Sequence, residues 1–112
     1  MVTKIRFRYK GKKYVLAYTR ESILEMERRG FDVFEMVDKP LLALLAKLPD
    51  FFAGAFICNH PATPRSLIDE IYSKFENKLE LLDALAGMYA LVIDEILDQV
   101  GEVQHGVKWE RC

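Results

Sequence analysis

The apolar stretch from Pro40 to His60 constrains the fold more than any other part of this sequence. Lys47 and Asp50 are its only charged residues. About 20 apolar residues are enough to cross a bilayer, but Pro49 and Asp50 interrupt the run near its centre and leave each half too short. Segments of ~10–14 apolar residues are more often buried core helices. The stretch therefore predicts a core helix over 41–58, broken at Pro49, around which the other elements pack.

The rest of the composition describes one folded domain. A chain of 112 residues with 51% hydrophobic and 29% charged residues has the size and balance of a single globular unit. The net charge of −1 does not by itself predict a polyanionic partner. Residues 1–20 carry only basic charges, however, whereas residues 80–112 are mainly acidic. This asymmetry predicts an attraction either between the two ends of the chain or between copies of it.

The first segment, 3–18, predicts a β-hairpin, because apolar and aromatic residues alternate there with basic ones at period two. Two turn positions are possible. A turn at Gly11-Lys12 pairs Tyr9 with Tyr14, whereas a turn one residue earlier pairs Tyr9 with Lys12. We expect the first register, because it sets apolar side chains opposite one another. The outer face of the hairpin then carries four basic residues: Lys4, Arg6, Arg8 and Lys13.

Helical spacing and capping signals predict four further helices, over about 20–29, 32–38, 64–76 and 78–99. The first should begin at an N-cap Thr19 and end before Gly30, burying Ile23, Leu24 and Met26. Residues 101–112 are predicted to form a loose tail. We therefore expect an α+β, mainly α-helical single domain over 1–100, with the N-terminal β-hairpin packed on a bundle of four to five helices.

The last helix has an apolar face wider than the surface helix of a monomer usually needs. We therefore expect self-association into a homo-oligomer. The predicted contact residues are Leu81, Met88, Tyr89 and Val92. Phe51 is a further candidate for partner binding, because on a helix it projects about 100° away from Phe52.

No catalytic or metal-binding pattern is evident. The cysteines and histidines are Cys58, His60, His105 and Cys112, and they lack the paired short spacings of a structural zinc site. No third group is positioned to orient a Cys58–His60 nucleophile pair. Acidic neighbours on a helix point in different directions, and no phosphate-binding glycine loop is present. We therefore predict a non-enzymatic protein without metal or cofactor. The absence of a signal peptide pattern also predicts a reduced, cytoplasmic protein.

The basic, aromatic hairpin leaves one alternative open, a small nucleic-acid-binding or regulatory module. Strands that present Lys and Arg beside Phe and Tyr bind single-stranded nucleic acid through charge and stacking. Stacking requires the aromatic rings on the same face as the charges. In the expected register the rings point inward, away from the basic face, so nucleic acid is the less favoured partner.

The order of short sequence phrases resembles a known group of proteins. A hairpin around Lys-Gly-Lys-Lys-Tyr leads into Tyr-Thr-Arg-Glu-Ser-Ile-Leu-Glu-Met-Glu-Arg-Arg-Gly. An apolar helix ending Phe-Phe-Ala-Gly-Ala-Phe follows, then Thr-Pro-Arg-Ser-Leu-Ile-Asp-Glu-Ile-Tyr and Leu-Leu-Asp-Ala-Leu. Over about residues 3–98 this resembles small proteins of tailed phages and prophages of Gram-positive bacteria, and beyond them the phage tail assembly chaperones.

This resemblance implies a role in building virions. Such chaperones bind the long tape measure protein and help tail tube subunits to polymerise around it. They self-associate, act in the cytoplasm of the bacterial host and are absent from the mature virion. The family has no catalytic motif to transfer to this sequence. The residues themselves predict no membrane partner and disfavour nucleic acid as a partner.

Overall fold

The computed structural model describes residues 3–32 and 41–104, and the side chains of residues 3–32 and 43–97. Its elements follow in the order β1 (Ile5–Tyr9), β2 (Lys12–Leu16), α1 (Arg20–Arg28), α2 (Leu41–Gly54), α3 (Arg65–Lys74) and α4 (Lys78–Gln104). The fold is α+β and mainly helical, with an antiparallel hairpin packed on helices, as the sequence predicted. None of the described helices is long and apolar enough to span a membrane.

Two predicted segments lie mostly outside the residues that the structure describes. Apart from Asp32, the predicted helix over 32–38 lies outside the described residues, as does most of the predicted tail. Helix α4 continues to Gln104, past the predicted end at residue 99, so the chain is still helical where the tail was expected to begin.

The hairpin register is the one that we did not expect. Tyr9 pairs with Lys12 and Phe7 with Tyr14, around a turn at Lys10 and Gly11. These two residues have φ values of 49° and 79°, as in a type I′ turn, whose twist matches that of the flanking strands. The expected register was therefore wrong, because turn chirality outweighed apolar pairing. The observed register still contains an apolar cross-strand pair, since the rings of Phe7 and Tyr14 stack with their centroids 5.2 Å apart.

The first helix is capped as predicted. Thr19 Oγ1 accepts a hydrogen bond from Ser22 N at 3.0 Å, and Ser22 Oγ accepts one from Thr19 N at 2.8 Å. Gly30 follows the helix with a φ of 94°, as the predicted C-terminal signal requires. Leu24 was wrongly assigned to the core, since it is 44% exposed and Ser22 is buried in its stead.

The predicted break at Pro49 is also wrong, because α2 runs through Pro49 as one helix. A proline inside a helix costs about 3 kcal/mol or more. Leu48, Phe51 and Phe52 are all at most 2% exposed, and burying each contributes roughly 1.5–3 kcal/mol. Their combined burial outweighs the cost of the proline. The helix ends at Gly54, and residues 55–59 continue as turns rather than as the predicted helix.

Phenylalanines of this central segment form the middle of the core. The ring of Phe52 is fully buried and lies 5.2–5.5 Å from the rings of Phe56, Tyr72 and Phe75. Phe75 in turn contacts Phe7 of β1 at 5.4 Å. The core therefore joins the hairpin, α2 and the connection between α3 and α4.

Candidate partner-binding surfaces

Most of the residues predicted to contact a partner lie in the core of the domain. Phe51, Leu81, Met88 and Tyr89 are 2%, 5%, 2% and 4% exposed. A partner could not reach them without unfolding the domain. Only Val92 is half-buried and lies at the margin of the core. Burial therefore corrects the predicted role of the other four residues, and Val92 remains as a candidate contact.

Phe51 illustrates why these residues are scaffold. Its ring stacks on those of Tyr18 and Phe31 at 5.2 and 5.6 Å. Its carbonyl accepts a hydrogen bond from the Tyr18 hydroxyl at 2.6 Å. Burial raises the pKa of Tyr18 well above its usual value, so the hydroxyl stays protonated and keeps donating. These contacts hold the chain after β2 against α2.

Helix α4 provides the first candidate surface. Leu85, Met88 and Tyr89 face the core, and Tyr89 is the last buried residue of α4 among the described side chains. The same apolar stripe continues three and seven residues later, at Val92 and Ile96. Four neighbouring apolar side chains follow Tyr89 on this side, and we call them the distal α4 face: Val92, Ile93, Ile96 and Leu97.

The exposure of this face increases along the helix. Val92, Ile93 and Ile96 are half-buried, and Leu97 is 61% exposed. The helix runs on to Gln104, about 22 Å beyond Tyr89 at the usual rise per residue. Asp94 and Glu95 are exposed within the same turn. The distal α4 face is therefore an apolar strip with acidic neighbours, and the sequence indicated the stripe but not where the core would stop covering it.

The basic face of the hairpin is the second candidate surface. Its members are exposed, as predicted: Lys4, Arg6, Arg8 and Lys13. The rings are on the other side, where Phe7 lies between Tyr14 and Phe75. The hydroxyl of Tyr9 donates to Glu70 at 2.6 Å. This face therefore offers charge without a stacking platform, which does not favour single-stranded nucleic acid as its partner.

The cysteine and histidine near the end of the central segment act structurally. The thiol of Cys58 donates to the Ala17 carbonyl at 3.4 Å, and burial raises the thiol's pKa, so it remains protonated. His60 Nε2 accepts a hydrogen bond from the backbone N–H of Val15 at 3.0 Å. Among the described residues, no three His, Cys, Asp or Glu side chains converge as metal ligands. The sequence did not predict the hydrogen bond between His60 and Val15, because these two residues lie far apart along the chain.

A cleft of about 180 Å³ lies between the end of α1 and α2, but its charges are paired. The guanidinium of Arg65 contacts Asp50 and Asp69, each at 2.8 Å. Hydrogen bonds to these two carboxylates raise the pKa of Arg65. Arg29 at the other side of the cleft pairs with Glu25 at 3.0 Å. The cleft is therefore a contact region between helices whose charged side chains pair with one another.

The described residues form a small, mainly helical α+β domain. The chain belongs to the family described as "Domain of unknown function (DUF5055)", whose model matches residues 1–111. No curated protein and no solved structure matches the chain.

Proposed function

We propose that this protein is a phage tail assembly chaperone-like protein. It is non-enzymatic, acts in the cytoplasm of the bacterial host and binds the tape measure protein during tail morphogenesis. Two lines support the proposal. The order of sequence phrases resembles that of the chaperones, and the distal α4 face offers an apolar helical surface outside the core. The exposed apolar surface of the distal α4 face is the observation that carries the proposal.

The chemistry of the distal α4 face suits a helical partner. Tape measure proteins are long and rich in coiled coil, so they present apolar side chains at intervals of three and four residues. A helix recognised in this way lays its apolar side chains against those of another helix. Val92, Ile96 and Leu97 have the matching spacing on α4, and the exposed acids beside them would favour basic residues at the partner's margins.

A matched pair of leucines tests the surface. Leu97 and Leu79 lie towards opposite ends of α4 and are 61% and 53% exposed. We expect the tape measure protein encoded in the same gene cluster to be retained on immobilised wild-type chain. Leu97→Glu should weaken this binding at least about tenfold, because it places a charge in the apolar contact. Leu79→Glu introduces the same charge on the same helix and should leave binding unchanged.

Two results would contradict the proposal. One is no binding of the tape measure protein by the wild-type chain. The other is equal loss of binding in Leu97→Glu and Leu79→Glu, which would show that the distal α4 face is not the contact. Circular dichroism of both variants distinguishes lost contact from lost fold.

Self-association belongs to the same proposal. We expect the wild-type chain to sediment as more than a monomer through its distal α4 face, and Leu97→Glu to shift it towards the monomer while Leu79→Glu does not. A wild-type chain that stays monomeric at high concentration would refute the homo-oligomer. Mature virions are expected to lack the protein, which mass spectrometry of purified particles would check.

A further inference from the structure

The two outer edges of the hairpin differ in whether other residues cover their backbone groups. The outer edge of β2 and the residue after it are closed by the turn segment that follows α2. Val15 N donates to His60 Nε2 at 3.0 Å, and the Asn59 side chain donates to the Val15 carbonyl at 3.2 Å. Ala17 N donates to the Ala55 carbonyl, also at 3.2 Å. Side chains and backbone from one segment therefore take the place of a third strand on this side.

The outer edge of β1 has no such cover among the described residues. Arg6 pairs with Val15, whose N–H and C=O point away from β1 towards the covering segment. In an antiparallel ladder both members of such a pair direct their backbone groups outward. The N–H and C=O of Arg6, and by the same parity those of Arg8, therefore point away from β2. In the described part of the chain, no hydrogen bond reaches these four groups.

The side chains along β1 indicate what can occupy this edge. Lys4, Arg6 and Arg8 are exposed on one face, and none of them forms an ion pair with a described residue. On the other face, Ile5, Phe7 and Tyr9 are half-buried and keep part of their apolar surface accessible. Cations along an edge strand oppose pairing with an identical edge, since two such edges would bring like charges together. A second copy of β1 is therefore disfavoured, whereas an acidic strand is favoured.

We propose that the outer edge of β1 is a docking site for an extended acidic segment of a protein partner. The segment adds as a third strand, and its backbone pairs with Arg6 and Arg8. Its acidic side chains alternate along the face that carries the cations, and its apolar side chains cover the accessible parts of Phe7 and Tyr9. Main-chain bonds supply affinity in this mode of recognition, and the alternating side chains supply specificity. This inference stands independently of the tape measure proposal, because it uses another surface.

The test uses the full chain and a defined peptide probe. A fluorescent peptide of alternating glutamate and valine is titrated with the protein at an ionic strength of about 0.15 M, where charges more than about 8 Å apart are largely screened, and anisotropy reports binding. A second peptide has the same sequence but carries N-methyl groups on the amides that would face β1. It keeps the charge but cannot form the ladder. We expect it to bind at least about tenfold more weakly, because several backbone hydrogen bonds are lost.

A matched pair of protein variants locates the site. Arg8 and Lys13 are cross-strand partners on the same exposed face, one on the open strand and one on the covered strand. Arg8→Glu should weaken the unmodified peptide about tenfold or more, whereas Lys13→Glu should change affinity by no more than about threefold, because it lies one strand further from the peptide. The amide signals of Arg6 and Arg8 should shift on peptide binding in the wild-type protein.

Several results would overturn the proposal. One is equal affinity for the unmodified and N-methylated peptides, which would reduce the contact to charge attraction. Another is equal loss of affinity in Arg8→Glu and Lys13→Glu. A third is displacement of the peptide by an oligothymidylate of equal charge at lower concentration than the peptide itself requires, which would make the basic face a nucleic-acid surface. The peptide comparison uses wild-type protein only, so it decides the matter even if a variant fails to fold.

Discussion

The same substitution should have opposite effects at two helical glycines. Gly54 ends α2 against α1, and a Cβ built on it would lie 2.5 Å from both Sδ and Cε of Met26 and 2.9 Å from its Cγ. Gly87 lies within α4, where a Cβ would meet nothing within 4 Å. Gly54→Ala should therefore destabilise the fold, and Gly87→Ala should stabilise it.

The magnitudes follow from the two environments. Alanine inside a helix is favoured over glycine by about 0.8–1.0 kcal/mol, which is the expected gain at Gly87. At Gly54 any such gain opposes an overpacking cost of about 1–3 kcal/mol. Met26 is 3% exposed, so its side chain must repack to admit the added methyl group. We therefore expect a net loss of up to about 2 kcal/mol in Gly54→Ala.

Thermal and urea unfolding of the two variants measure this difference. A change of 1 kcal/mol corresponds to a Tm shift of about 4 °C near this chain length, so the Tm values of the two variants should differ by up to about 12 °C. Met26→Ala should cost less in the Gly54→Ala background than in the wild type, because the two residues compete for the same space. A Gly54→Ala variant that is more stable than the wild type would refute the assigned contact. A loss of stability in Gly87→Ala would refute the propensity argument.

Two further predictions concern buried polar groups. Tyr18→Phe should lower the free energy of unfolding by about 1–2 kcal/mol, because it leaves the buried Phe51 carbonyl without its donor. Tyr89→Phe should be neutral or slightly stabilising, because the Tyr89 hydroxyl is buried without a partner in the described structure. Equal losses in the two variants, measured by urea unfolding, would contradict this. His60 accepts its hydrogen bond only when neutral, and burial lowers its pKa from the ordinary 6.5. Protons then bind the unfolded chain more readily, so the stability contributed by His60 should be complete above pH 6.5 and be lost as the pH falls through the folded-state pKa. The difference in unfolding free energy between wild type and His60→Phe, measured from pH 8 to pH 5, should show this slope, and a constant difference would exclude it.

Local signals in the sequence predicted the ends of several elements correctly. The Thr19 cap and the positive φ at Gly30 depend on residues within one turn of one another. The same holds for Asn77, whose side chain accepts from Glu80 N at 3.0 Å just as α4 begins. Such interactions can be read from spacing alone. The register could have been predicted in the same way, because Gly11 as the second residue of a two-residue turn is a type I′ signal.

Features that depend on distant packing could not be predicted. Pro49 looked like a helix break because its local cost is large, yet the buried side chains around it keep α2 continuous. The stripe on α4 was visible in the sequence, but its division into core residues up to Tyr89 and accessible ones from Val92 onward depends on where the other helices end. Closure of the β2 edge by Asn59 and His60 joins residues more than 40 positions apart. The periodicity of apolar residues does not reveal contacts between residues so far apart in the sequence.

The chemistry of the two proposed surfaces indicates that they serve different partners. The acids near the distal α4 face, Asp94 and Glu95, have the charge that the β1 edge would attract. Helix α4 nevertheless cannot be the ligand of that edge, because the backbone N–H and C=O groups inside a helix are already paired with each other. A strand ladder needs a segment whose backbone is free. If both proposals hold, the domain presents a helix-binding strip and a strand-binding edge, which recognise partners of different secondary structure.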